Sequence, residues 1–269
     1  MEVYLNGELV AESRVKELLE PGFLFGWGLF ETLRFYDSRP VLLNEHLKRL
    51  EAGAVQLKLD CDCQAIAKIC RQVISRNRLK EGYLRISLFK KRTAAGLMVY
   101  AAPLAYYPKE AYASGVKLVL YPFQRFSKDP FIKVKAISYL KSRLCWLFAQ
   151  EKGAEEALFY SEQGFIQEGS RSNVFFVKGG KVFTPSARCG LLEGVTRKAV
   201  IDVCRGCGLD LIEGEYTARR LSGADEVFIT SSLMEIMPVC EYEGKKFDVQ
   251  SYRVTPRIYR GYRKYLQKN

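Results

Sequence analysis

Three groups in this chain have the residue types and spacing to do chemistry together, all within the stretch from Phe131 to Arg197. Lys135 closes the run Ile132, Lys133, Val134, Lys135, Ala136, whose alternation places Lys133 and Lys135 on one face of an expected strand. A lysine kept from water gives up its proton more readily and can then act as a base or as a nucleophile toward carbonyl carbon. Glu168 stands at the turn of an expected hairpin, between Gly164-Phe165-Ile166 and Val174 to Val177. Glu193-Gly194-Val195-Thr196 precedes the helically spaced apolar positions Ala199, Val200 and Val203. Its unpaired backbone N–H groups and the Thr196 hydroxyl make an anion cup suited to a phosphate. Singly, these are a solvated lysine, a turn carboxylate and a capping threonine. Their joint occurrence calls for a chemical explanation.

The elements that must hold these groups follow from periodicity. Ser138 is placed to cap a helix from Tyr139 to about Lys152. Upstream, residues 2–13 read as a hairpin around Asn6-Gly7, and a glycine-punctuated aromatic run leads into a strand from Leu29 to Tyr36. Arg34 interrupts that strand and is expected at an edge with its charge in water. Val41 to Leu43 reads as a short strand, and Asn44 as the cap of a helix carrying Leu47, Leu50 and Ala54 on one face, with Arg49 beside that stripe. Residues 64–79 form a second helix, and the strands Tyr83 to Phe89 and Leu97 to Ala102 put Tyr83 and Arg85 on one face. The segment 103–115, with Pro103 and Pro108, breaks the pattern and divides the chain into domains of residues 1–108 and 109–269. Beyond it, strands begin at Val116, near 181, 209 and 225, and at Ile236, and a terminal helix begins near Thr255. Thr230-Ser231-Ser232 gathers hydroxyls at the end of a buried strand.

Composition narrows the chemistry. With 269 residues, 48% of them hydrophobic, the chain can bury a large core. No run approaches a membrane span, and the amino-terminal MEVYLNGELV reads as a strand and turn, so a cytoplasmic location without a membrane partner is expected. The net charge of +12 is scattered along the chain, which argues against nucleic acid and for anionic small molecules. Cys61 with Cys63, and Cys204 with Cys207, lack matching pairs at zinc spacing, so the eight cysteines read as reduced thiols and no metal is expected. The one histidine, His46, confines a Ser-His-Asp triad to its own neighbourhood and leaves lysine chemistry favoured.

The segments FETLRFY, LNEHLKRL, KAISYL, EALF, QEGSRSNVFFV, LLEGVTR, ADEVFIT and EIMPV occur in an order and spacing that resembles the fold type IV pyridoxal-phosphate enzymes, over nearly the whole chain. That class includes branched-chain and D-amino-acid aminotransferases and 4-amino-4-deoxychorismate lyases. The resemblance implies an α/β architecture of two domains, a small α/β one and a larger one with a mostly β, barrel-like core flanked by helices. It also implies pyridoxal 5'-phosphate as cofactor and a homodimer. By the same resemblance Lys135 is the lysine that bonds the cofactor's aldehyde and later moves the proton. Tyr139 faces the phenolic oxygen, and Glu168 pairs with the ring nitrogen. Arg49, the backbone of Val195, Thr196 and Ser232 contact the phosphate.

Two departures stand out. The turn before the first long strand reads Phe25-Gly26-Trp27-Gly28, and Glu193 replaces a common proline beside the phosphate cup, where a carboxylate must face solvent or a basic partner. For substrate, SSLMEIMPV after the ADEVF strand resembles the deoxychorismate lyases, whereas Arg34 and Tyr83-Leu84-Arg85 resemble positions near the carboxylate of branched-chain substrates. The expected activity is that of a 4-amino-4-deoxychorismate lyase, with a branched-chain or D-amino-acid aminotransferase as the alternative. Arg34, Tyr83, Arg85 and Arg92 are the candidate substrate residues.

Overall fold

The structure is a computed structural model that describes residues 1–104 and 107–268. The chain divides into two compact units: Met1–Ala102 with Lys135–Ser138, and Pro103–Val134 with Tyr139 onward. Ala105 and Tyr106, within the pattern-breaking segment, lie outside the described residues, and the segment's described part includes a helix at Lys109–Ser114.

The first unit opens with β1 (Glu2–Leu5) and β2 (Glu8–Ala11), an antiparallel hairpin whose turn residues Asn6 and Gly7 both take positive φ. A short helix α1 (Pro21–Leu24) leads to β3 (Gly28–Tyr36), followed by β4 (Arg39–Pro40), α2 (Leu43–Leu57), α3 (Cys63–Arg76), β5 (Gly82–Lys90) and β6 (Ala95–Ala102). The strands form one antiparallel sheet in the order β4-β3-β5-β6. Alternation along β3 sends Leu29, Glu31, Leu33 and Phe35 toward the helices and Phe30, Thr32 and Arg34 to the other face. Leu33 and Phe35 are fully buried, and Leu29 packs beside Gly53 of α2.

Local expectations fail here in several places. Val41 to Leu43 is no strand: the chain leaves β4 through Leu42 in a left-handed conformation, and α2 begins at Leu43 without the Asn44 cap. Arg34 is 6% exposed, not at a wet edge, because β4 and β5 flank β3 on both sides. Its Nη1 donates to the Tyr36 hydroxyl at 2.6 Å. By contrast α3 has an orthodox cap, the Ala65 N–H donating to Asp62 Oδ1 at 2.9 Å. Asp62→Ala is expected to lower stability by about 1 kcal/mol, readable in a urea titration.

Lys135 lies outside any strand: residues 132–134 form turns, and only Ala136 bridges to Leu29. Two backbone bonds, Phe30 N to the Lys135 carbonyl at 2.9 Å and Ile137 N to the Gly28 carbonyl at 2.8 Å, strap this short piece to β3. Ser138 caps no helix; its hydroxyl donates to the Gly26 carbonyl at 2.9 Å, where Gly26 takes a φ of +61°.

In the second unit α4 (Lys109–Ser114) precedes β7 (Val116–Leu120), and α5 (Leu140–Glu151), capped by Tyr139, precedes β8 (Glu156–Tyr160) and β9 (Ile166–Gly169). Then come β10 (Asn173–Lys178), β11 (Lys181–Pro185), α6 (Val195–Gly206), β12 (Leu211–Gly214), α7 (Ala218–Ser222), β13 (Glu226–Ser231), β14 (Glu235–Tyr242), β15 (Lys245–Lys246) and α8 (Val254–Lys268). The main sheet runs β12-β11-β10-β13-β14-β7-β8-β9, with parallel pairs among mostly antiparallel ones. Its central strands are buried on both faces, which is why they read as continuous apolar runs. Val174 and Phe176 pair with Ile229 and Val227 over one core, and Phe175 stacks on Phe228 at 5.0 Å on the other face. Glu168 is not at a hairpin turn between 166 and 174. It lies within β9, whose antiparallel partner is β8, while β10 pairs with β11 and β13.

Candidate active site

In the first unit, the Lys135 Nζ lies 4.5 Å from the centroid of the Phe30 ring, and the Arg85 guanidinium lies 4.1 Å from the same centroid. The ring brings both cations together. Cross-strand pairing sets Thr32 opposite Arg85 and Arg34 opposite Tyr83, so all four share the sheet face that carries Phe30. The Tyr83 and Tyr100 hydroxyls bond to each other there. Arg92 does not join them: it is exposed beyond the far end of β5, and its backbone N–H donates to Glu20 at 2.8 Å.

Arg49 stands on the helix-facing side of β3. Its Nε and Nη2 donate to the two oxygens of Glu31 at 2.8 and 2.7 Å, and His46 Nδ1 lies 2.6 Å from Glu31 Oε2. Burial alone would push the Glu31 carboxyl up, but the Arg49 guanidinium and then His46 outweigh it and hold the group at about 2. Burial first, opposed by Glu31, and then the charges of Arg49 and Lys135 push His46 below its usual range. That imidazole is neutral near pH 7.

In the second unit, Glu168 accepts from Arg125 Nη2 at 2.9 Å, from the Leu192 backbone N–H at 3.0 Å and from Asn173 Nδ2 at 3.4 Å. The Tyr139 hydroxyl donates to the Ser170 carbonyl at 2.7 Å. Burial first, then Glu168, push this phenol up, so it stays protonated. α6 begins at Val195 with Gly194 as its N-cap and no side-chain cap, and both Val195 and Thr196 are buried. Glu193 is exposed, as a carboxylate beside an anion cup should be. Ser232 lies in the turn between β13 and β14, next to Ser231, whose hydroxyl accepts from Met234 N at 3.2 Å.

The sequence model of the family described as Amino-transferase class IV matches residues 28–242. The chain belongs to this family. Class IV aminotransferases are pyridoxal-phosphate-dependent enzymes, and the α/β fold of this chain is that of the fold type IV group. The aminodeoxychorismate lyase of Bacillus subtilis is 29% identical over 280 residues, covering 98% of this chain and 94% of that protein. The branched-chain aminotransferase of Thermoproteus uzoniensis, solved with norvaline, is 30% identical with a TM-score of 0.86, covering 100% of this chain and 96% of that one. The branched-chain amino acid aminotransferase of Escherichia coli is 29% identical with a TM-score of 0.86, covering 95% of this chain and 91% of that one.

The residues present fit the cofactor on which this class IV family depends. The uncapped start of α6 presents N–H groups to an anion. Thr230 Oγ1 is buried without a hydrogen-bond partner. Its strand partner is Asn173, so it shares a face with the amide that holds Glu168. A Cβ at Gly194 would fall on Asn173 Oδ1, so this corner is kept open by the absence of a side chain. Gly194→Ala is expected to displace Asn173 and weaken pyridoxal-phosphate binding by roughly tenfold, measured by absorbance titration.

Several side chains at the candidate site carry no local signal. Arg125, Asn173, Glu31 and Phe30 became visible only through their partners. Glu31 alone could have been suspected, as an acid in a largely apolar strand.

Proposed function

We propose that this class IV enzyme is a pyridoxal-phosphate-dependent 4-amino-4-deoxychorismate lyase that releases 4-aminobenzoate and pyruvate. The observation that carries the reading is the sheet face of Thr32, Arg34, Tyr83 and Arg85, where two guanidinium groups accompany Lys135. A substrate with two carboxylates suits this positive, hydroxyl-lined face, whereas a branched aliphatic side chain would desolvate it without compensation. Arg85, half-buried, offers a fork for a carboxylate, and buried Arg34 adds potential from beneath. The 231–239 segment SSLMEIMPV and the near full-length likeness to a lyase support the same reading.

When bound, the cofactor supplies an aldehyde that joins amines and a ring that withdraws electrons from the carbon next to the joined nitrogen. Lys135 Nζ is the group that would hold that aldehyde in the resting enzyme, and once free it would take the proton from the substrate ring carbon and return it to the departing pyruvate. Glu168, paired with Arg125 at 2.9 Å, is the carboxylate that would face the ring nitrogen. The Val195 and Thr196 end of α6 and Ser232 would hold the phosphate, and Arg49 is the further phosphate contact that the family likeness implies. Tyr139 would serve the phenolic oxygen, its hydroxyl turning from the Ser170 carbonyl to donate there.

The second reading, a branched-chain or D-amino-acid aminotransferase, is favoured by Arg85 and Lys135 sharing one ring, which suits a carboxylate on the carbon that bears the amine. One assay separates the two. The loaded enzyme should release fluorescent 4-aminobenzoate from enzymatically made aminodeoxychorismate. Steady amino transfer from leucine or D-alanine to 2-oxoglutarate, with no 4-aminobenzoate, would sink the lyase. The reading also carries a cytoplasmic homodimer, whose mass sedimentation would report.

A further inference from the structure

One guanidinium in the second unit holds two parts of the cofactor cradle at once. Arg125 Nη2 donates both to Glu168 Oε1 at 2.9 Å and to the Gly190 carbonyl at 3.0 Å. Its Nε donates to Gln167 Oε1 at 2.9 Å, and Gln167 Nε2 donates in turn to the Cys189 carbonyl at 2.7 Å. The guanidinium lies 4.4 Å from the Phe159 ring centroid, which fixes its plane. From Gly190 the chain runs two residues to Leu192, whose N–H donates to Glu168 Oε2, and two more to Gly194, the N-cap of α6. The carboxylate and the approach to the anion cup are therefore bonded to the same side chain. Surface ion pairs wander; this one is half-enclosed, with a side-chain exposure of 12% for Arg125 and 11% for Glu168.

We propose that Arg125 is a positioning residue for the cofactor: it fixes the Glu168 carboxylate in one plane and sets the distance between that carboxylate and the α6 entry. It touches no reacting atom. Its role follows from forked donation, since an arginine can bond a carboxylate and a carbonyl in one plane whereas a lysine offers a single rotating point charge. The proposal rests on the reading that Glu168 meets the ring nitrogen. Asn173 and the Leu192 N–H remain on Glu168 Oε2 when Arg125 is changed, so the carboxylate is loosened rather than stranded.

The test compares binding of pyridoxal phosphate with binding of its 1-deaza analogue, in which carbon replaces the ring nitrogen, to the full chain with and without Arg125→Gln. The unchanged protein should prefer pyridoxal phosphate by about ten- to hundredfold, the worth of a hydrogen bond to a charged group. In Arg125→Gln that preference should fall to within about threefold, while affinity for both ligands also drops as the α6 entry shifts. Arg125→Lys, which keeps charge and bulk, should lie between and carries the test should the glutamine variant not fold. An undiminished preference in the folded variants would overturn this inference alone. Equal binding of both ligands by the unchanged protein would overturn the Glu168 reading together with it.

Discussion

Lys135→Ala is expected to lower turnover by about 10³- to 10⁴-fold or more, the effect of removing a positioned base that also holds the cofactor. Lys135→Arg should do the same, because a guanidinium keeps its positive charge but cannot give up a proton. Lys133→Ala is the control: that side chain is exposed, and its loss should leave turnover within about twofold, as for most surface changes. Chemistry of the adduct gives an independent readout. Borohydride treatment after loading should add the coenzyme's mass to the peptide bearing Lys135, and that mass should be missing from both Lys135 variants. Label at another lysine in the unchanged protein would refute the assignment. The position is set by backbone: the Phe30-to-Lys135 bond and the Ala136 bridge hold the lysine against β3, so its side chain need only reach the Phe30 ring.

The second large effect is on stability. Glu31 is 1% exposed and bonded to both Arg49 and His46. Glu31→Gln leaves the half-buried Arg49 guanidinium with half its partner and should lower stability by about 3–5 kcal/mol. Its pH signature has a definite sign. The folded carboxyl sits at about 2 against an ordinary 4.5. A depressed carboxyl contributes stability that is fully present above the unfolded value and is lost as pH falls toward the folded one. Denaturation midpoints of the unchanged protein should therefore drop between about pH 5 and pH 2, with about 3 kcal/mol of the loss due to this group. Glu31→Gln should be flatter over that window. An equally steep fall in the variant would assign the acid sensitivity to other carboxylates.

Much of the architecture could be read from the residues one segment at a time. Short apolar runs gave β3, β5, β6, β10 and β13 nearly to their ends, and the helical stripes behind Asp62 and Gly194 gave α3 and α6. Such patterns are legible because burial acts on each element through its own repeat. The likeness of eight short segments to fold type IV enzymes also points to Lys135, Glu168 and Thr196 as the residues to test.

What the sequence could not supply depends on partners distant along the chain. Whether Arg34 lies at a sheet edge was decided by β4 and β5 pairing on either side of β3, and Ser138 serves Gly26, 112 residues earlier, instead of a helix. Glu168 moved from a turn into a strand because β9 found β8 rather than β10. Arg125 drew importance from bonds reaching 43 and 65 residues ahead. Periodicity records which face of an element is buried. It does not record which polar groups meet there, since a hydrogen bond is satisfied by geometry between elements and leaves no repeat in either one. The kinds of groups available for chemistry were thus written in the sequence, while the pairs they form, Glu31 with Arg49, Lys135 with Arg85 across Phe30, and Glu168 with Arg125, were chosen by the tertiary fold.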